Sequence, residues 1–303
     1  MPVVATSTAK RRRKLPPLGL VVGIGWLAVA IVISGLADFL PFVRGYDEPV
    51  RGAGSYGYGP GADFWFGADR LQRDVFARSV YGARISLIIA TTSIFAGLLI
   101  GGTLGMIAGY FRGWIDRVIS IVADALLAFP AIVIASLMVG RFEALRTSEI
   151  EVFGVGFGWA SPTWAIVIVF SLLSVAPIAR ITRAQTLSLS QREYVLAARS
   201  LGASTPRIIT REILPNIVPV MSSVLFTGIA VLLAAESGLA FLGYSVQAPQ
   251  VSWGLMIQEN REQIEQGWWG TVFPCLMLFL TVLSFNLIGD RVARRFDIRE
   301  ATL

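Results

Sequence analysis

The stretch Arg192-Glu-Tyr-Val-Leu-Ala-Ala-Arg-Ser-Leu-Gly-Ala-Ser-Thr-Pro-Arg-Ile-Ile-Thr-Arg-Glu-Ile-Leu-Pro-Asn-Ile-Val-Pro219 reads as two short helices joined by a bend. Tyr194, Ala197, Ala198 and Leu201 recur at helical spacing and form one narrow apolar stripe of mostly small side chains. Gly202 suits the left-handed cap that closes a helix, a conformation costly for any residue with a Cβ. Ser204 or Thr205 can open a second helix with Pro206 in its first turn, where a missing N–H costs nothing. Pro215 disfavours helix in the residue before it, which predicts a stop at Leu214. Six arginines (Arg180, Arg183, Arg192, Arg199, Arg207 and Arg211) accompany this pair. An L-shaped element presenting arginines and small residues is a docking surface.

Outward from this segment the chain turns apolar on both sides. A hydrocarbon core about 30 Å thick needs roughly 20 apolar residues in helix. Six runs meet that demand: Leu18–Ala37, Ile85–Gly109, Val118–Val139, Thr163–Ala179, Ile217–Ala235 and Trp269–Ile288. None alternates in the manner of a barrel strand, so the expected class is an all-α membrane protein with six spans. Composition agrees: the 303 residues are 54% hydrophobic and only 15% charged, with a mean hydropathy of +0.66. The net charge of +6 is almost wholly arginine and falls at the ends of apolar segments, which is no nucleic-acid signature. With one cysteine, Cys275, and no histidine, the chain cannot form an intrachain disulfide, a Cys/His metal site or an imidazole base.

Positive residues set the orientation. The run Lys10-Arg11-Arg12-Arg13-Lys14 abuts the first span, and Arg291, Arg294, Arg295 and Arg299 follow the last, which predicts both termini in the cytoplasm. The segments Gly140–Pro162 and Glu236–Trp268 are acidic and belong outside, while Asp38–Arg84 balances six arginines against six acids. The first apolar run exceeds the roughly 7–15 residues of a signal-peptide core and reads as an uncleaved anchor. Gly52–Gly61 predicts turns, and Leu71, Val75, Phe76, Ser79 and Val80 predict a short amphipathic helix, either lying on the outer membrane surface or packed on the outer ends of the spans. No lysine follows a Gly-rich turn, so no Walker-type ATP site is present.

The Ala197-Ala198, Gly202 and Leu214-Pro215 spacing resembles the EAA motif of ABC importer permeases. Within them it is similar to the dipeptide/oligopeptide branch, in its C-type subunit of the DppC/OppC kind, over nearly the whole chain. Four further stretches carry the likeness: Phe66–Leu87, Phe111–Pro130, Glu236–Ile257 and Leu280–Arg299. The departures are Gln72 where glycine is usual, Phe64-Trp65 where His-Pro is common, Glu212 for a frequent histidine, and Leu196 before the two alanines with Glu193 three residues earlier.

The resemblance implies a type I ABC importer permease fold, with a cytoplasmic tail 1–17, a first transmembrane helix 18–37, an external loop 38–84, a core of five spans 85–289 containing a coupling loop 181–216, and a tail 290–303. It implies a non-catalytic subunit in the bacterial cytoplasmic membrane, with no cofactor on this chain and with ATP and magnesium on a partner ATPase. The implied partners are a second homologous permease, the ATPase, an external solute-binding protein and membrane lipid. The ATPase would be met by Glu193, Tyr194, Ala197, Ala198, Arg199, Gly202, Ala203, Leu214 and Pro215.

Three intramembrane residues are candidates for the substrate pathway: Asp124, because a carboxylate in a span marks function by default, or else a structural group near the cytoplasmic end that bonds a neighbouring helix or reaches water, and Pro130 and Pro177, which interrupt spans as gating kinks or as fixed packing kinks. Glu236 and Trp253 are candidates for contact with the binding protein, or else for an interfacial aromatic belt. Gly101, Gly102, Gly105 and Gly109 permit close helix approach. The alternatives are the same machine carrying a nickel chelate or another small solute, and an ion-coupled secondary carrier, which would need a relay of buried ionisable groups beyond a nearly solitary Asp124.

Overall fold

Apolar runs that must satisfy their own backbone groups become helices, and the computed structural model, which describes residues 18–49, 59–147, 162–244 and 246–300, is built from them. In chain order these are α1 (Leu18–Gly35), a 3-10 turn (Ala37–Phe39), α2 (Val75–Phe111), α3 (Gly113–Leu127), α4 (Ala131–Thr147) and α5 (Pro162–Leu189). Then follow α6 (Glu193–Ser200), α7 (Thr205–Ile208), a π-helical turn (Ile209–Ile213), α8 (Leu214–Phe241), α9 (Trp253–Asn260), a 3-10 turn (Arg261–Gln263), α10 (Ile264–Gly267) and α11 (Trp269–Glu300). The basic N-terminal run and most of the Gly52–Gly61 turn region lie outside the described residues.

Among the described residues five helices are long and apolar enough to cross a membrane, or six if α3 and α4 together form one span. That pair corrects the third predicted span. Val118–Val139 is broken, and its halves meet at 87°. Pro130 supplies the reason: it cannot donate to a helix and pushes Phe129 out of helical geometry. Its own carbonyl accepts from Val133 and Ile134 at 3.0 and 3.3 Å and so starts α4. Other boundaries also move. The helix predicted to end at Ala179 runs to Leu189, so Arg180 and Arg183 are helical, and α8 continues past Ala235 to Phe241.

The tightest contact is α2 against α5. Gly97, Gly101, Gly105 and Gly109 recur every four residues on one face of α2, and a Cβ added at the last three would lie 2.5–2.7 Å from the carbonyl oxygens of Val175, Ala179 and Arg183. Glycine is what lets the two backbones meet there. Gly102, expected in the same role, faces open space, and Gly97 takes its place in the row. Around this pair Ile89, Ile166, Leu233 and Trp253 form the buried centre. α1 lies at the edge, with Gly23 against Ser284 of α11 and the Trp26 indole donating to Thr281 Oγ1 at 2.9 Å. Its remaining face, including Val22, Val29 and Val32, is exposed.

Among the described residues no separate amphipathic helix precedes α2. Leu71 and Gln72 lie in a turn ahead of it, and Val75, Ser79 and Val80 are buried in the first turns of α2 itself. The packed alternative fits these residues better than a helix lying on the membrane surface. Asp74 caps α2 by accepting from the Phe76 and Ala77 amides, and its burial raises its carboxyl above the ordinary range despite those bonds. Gln72 has φ +62°, left-handed geometry that suits glycine and costs a side-chain-bearing residue, so nothing in the structure explains the glutamine here.

At this end of the bundle, opposite α6, four charges are drawn together. Arg73 donates to Asp69 at 2.8 Å and to Glu259 of α9 at 2.9 Å, and Arg78 donates to the same Glu259 oxygen at 2.8 Å. The Asp69 and Arg78 side chains are 1% and 3% exposed. The two cations and two anions cancel, which is how such charges survive burial, and the exposed Asp47 adds a further carboxylate 3.7 Å from Arg73.

Candidate functional site

The bend at Gly202 has the geometry that its sequence demands. Gly202 sits at φ +80° and donates to Arg199 at 3.0 Å, while Ala203 donates to Ala198 at 3.1 Å. These two bonds are the Schellman closure of α6, and they use the backbone of one of the two alanines. Ser204 occupies the capping position of α7, although its hydroxyl makes no capping bond.

α6 is held by a residue that the periodicity did not single out. Val195 is fully buried, together with Ile208, Ile213 and Ile217 and against Met106, Tyr110 and Ala203. The predicted stripe therefore points outward: Tyr194 and Leu201 are 41% and 88% exposed, Ala197 is exposed and Ala198 half-buried. The single valine was legible as the one β-branched residue of α6, but one residue has no period. Glu193 opens the helix, where its charge suits the positive end of the macrodipole. Arg199 stacks over the Tyr110 ring at 5.6 Å and reaches its hydroxyl at 3.4 Å, tying α6 to the end of α2. Burial pushes the Tyr194 phenol above its ordinary value, and Asn216 of α8 donates to its oxygen at 3.4 Å.

The second short helix does not stop at Leu214. It widens into the π turn Ile209–Ile213, where the Leu214 amide donates five residues back to Ile209, and then enters α8 with Pro215 in the first turn. A proline clashes with the carbonyl four residues earlier in a regular helix, and the wider turn accommodates the ring. α7 is thereby continuous with α8, a membrane-crossing helix, and α6 joins them through the Gly202 bend.

The predicted pathway residues gather around α5. Asp124 of α3 is not solitary: it pairs with Arg180 of α5, and both side chains are 60% exposed. One step further along, Asp116 pairs with Arg183, the second contact at 2.7 Å. Asp124, Arg180 and Arg183 line a recess of about 280 Å³ between α3 and α5, with Asp116 behind Arg183. Pro177 is on the same exposed face of α5 and lines a second recess of about 320 Å³ against α8. Pro130 is apart from both, at the α3–α4 break. Arg180 had been counted with the loop arginines because the apolar run ends at Ala179.

Glu236 and Trp253 are corrected. Each is almost wholly buried, at 1% and 0% exposure. Ser252 donates to Glu236 at 2.7 Å, the Trp253 indole donates to the Ser79 carbonyl at 2.9 Å, and its amide donates to Ser86 at 3.2 Å. These bonds anchor the α8–α9 connection against α2 and leave neither side chain for a partner to touch.

Among the described residues no group of three or more His, Cys, Asp or Glu side chains could hold a metal ion. The chain is 34% identical to the dipeptide transport system permease protein DppC of Alkalihalophilus pseudofirmus, over 95% of this chain and 86% of that one. It is 38% identical to the glutathione transport system permease protein GsiD of Pectobacterium atrosepticum, over 79% and 74%. Its fold is similar to that of the MetNI methionine ABC transporter in inward facing conformations, with a TM-score of 0.59 at 16% identity, covering 72% of this chain and 96% of that one. Residues 101–300 match the family described as the binding-protein-dependent transport system inner membrane component. An all-helical bundle with a short outward-facing helix wired into a membrane-crossing one, and these matches across its length, make the chain a member of that family, a permease subunit of an ABC importer.

Proposed function

We propose that this subunit imports short peptides, forming half of a translocation pathway with a second, homologous permease. The observation that supports this cargo is the likeness, along most of the chain, to a dipeptide and a glutathione permease. The segment 181–216 is read as the coupling loop, with Glu193, Tyr194, Ala197, Ala198, Arg199, Gly202, Ala203, Leu214 and Pro215 at or behind the ATPase contact. ATP and magnesium bind the partner ATPase, whose closure pushes on α6, and the π turn carries that push into α8. A solute-binding protein delivers cargo on the opposite side. The arginine distribution supports a bacterial cytoplasmic membrane protein with both termini in the cytoplasm. Asp124 and Pro177 border the pathway, and Pro130 sets the bend beside it.

Purification of the tagged chain in mild detergent tests this reading. A second permease, an ATPase and a binding protein should co-purify, and the complex in liposomes should take up dialanine with ATP hydrolysis. Recovery of the chain alone under conditions that preserve complexes would defeat the importer assembly. Uptake of a metal chelate in place of dialanine would move the cargo to that class.

A further inference from the structure

We infer that the Asp124–Arg180 pair is a binding subsite for the charged termini of a zwitterionic peptide, an assignment that rests on the peptide-import reading above. Both residues lie on helices of the membrane-spanning bundle, yet both side chains are 60% exposed on the outside of the chain. Charged groups at membrane depth do not face lipid; they face water, a pathway or other protein. The α3–α5 face is therefore turned away from the bilayer, whereas the exposed valines of α1 suit lipid.

The chemistry of the recess selects the ligand. It is lined by one carboxylate, Asp124, and two guanidiniums, Arg180 and Arg183, and Asp116, behind the lining, pairs with Arg183 and neutralises it. The four charges together cancel, so a simple cation or anion would be left with one wall repelling it. A zwitterion is matched at both ends. The inner pair, Asp116–Arg183, is the more covered, at 19% and 35% exposure, and serves as a fixed floor with Ser120 donating to Asp116 at 3.3 Å. The outer pair is open to solvent and can part: a peptide ammonium takes the place of Arg180 at Asp124, and a peptide carboxylate takes the place of Asp124 at Arg180. Each replaces one charge-assisted hydrogen bond with another of the same kind. The volume of about 280 Å³ is at the small end for ligand pockets, which fits a short peptide or the end of a longer one.

The test uses the detergent-purified complex without binding protein and measures tritiated dialanine binding to wild type, Asp124→Asn and Arg180→Gln. N-acetyl-dialanine and dialanine amide serve as competitors. Each substitution should weaken dialanine binding about tenfold or more, the effect of losing one hydrogen bond to a charged group. Acetylation should weaken wild type by a similar factor and Asp124→Asn hardly at all, and amidation should behave likewise with Arg180→Gln, since each pair of changes removes the same contact. The exchanged variant Asp124→Arg/Arg180→Asp separates the alternatives: a mere interhelical lock would be restored with wild-type peptide binding, whereas a subsite would stay impaired. Unchanged binding in both single variants, restored binding in the exchange, or loss of the second permease from the variants would overturn the subsite. Parallel uptake of dialanine with binding protein tests the parent reading. No uptake by wild type overturns that reading and the subsite together, while normal uptake by wild type and both single variants overturns the subsite alone.

Discussion

Gly202 has no neighbour within 4 Å of an added Cβ, so its requirement is purely conformational. Gly202→Val faces no clash and instead must hold φ near +80°, which costs a side-chain-bearing residue about 1–2 kcal/mol and a β-branched one more. The cap opens, α6 swings from its seat, and transport should be lost while the protein still inserts. Uptake in liposomes and the amount of chain in the membrane measure these two outcomes separately, and wild-type uptake would remove Gly202 from the coupling role. Gln72 carries the same strain in the opposite part of the molecule. Gln72→Gly should keep the thermal stability of the purified protein or raise it, whereas Gln72→Val should lower stability by roughly 1 kcal/mol or more. Equal melting of the two variants would contradict left-handed geometry there.

At the scale of elements, the glycine row of α2 determines how closely α5 can approach. A Cβ at Gly105 would be 2.5 Å from the Ala179 carbonyl and 2.8 Å from the Thr182 side chain, and backbone cannot yield as a side-chain tip can. Gly105→Val should push the helices apart at a cost on the order of 1–3 kcal/mol or more. Gly102→Ala, three residues away and with nothing within 4 Å, should melt at or slightly above the parent, because alanine is the better helix former. A melting temperature lowered equally by both would show that the α2–α5 contact does not distinguish these positions. The same packing bears on the pathway, because α5 carries Pro177, Arg180 and Arg183 on its other side.

For the whole molecule, the buried charges beside the start of α2 join two parts of the chain distant in sequence: the turn and first turn of α2, through Asp69, Arg73 and Arg78, and α9, through Glu259. Removing one member of such a group leaves an uncompensated buried charge and costs about 3–5 kcal/mol. Glu259→Ala should therefore destabilise the protein by that order, seen as a large fall in melting temperature of the purified complex, with Glu259→Gln intermediate because it keeps an acceptor. A melting temperature within a degree or two of wild type would mean that water already compensates Arg73 and Arg78.

The sequence by itself determined the class of this protein, because lipid solvation leaves little choice: apolar runs of this length become helices, and Gly202, Ser204 and Pro206 specify a bend from their backbone preferences alone. The same logic located Pro130 and Asp124. What local patterns could not supply was direction. The stripe of Tyr194, Ala197, Ala198 and Leu201 is presented outward, as its docking-surface pattern suggested, but the residue that seats α6, Val195 against Ile208, Ile213 and Ile217, has no period to announce it. Glu236 and Trp253 look like loop-surface residues from their neighbours and are buried because α2 offers Ser79 and Ser86 across the bundle. Arg180 ends an apolar run in sequence but faces Asp124 in space, since α5 continues helically past that run. Helix formation depends on contacts within a few residues and on the solvent; which face is covered, and which charge meets which, depends on residues beyond the helix itself, up to 181 positions away, and only the packed bundle brings them together.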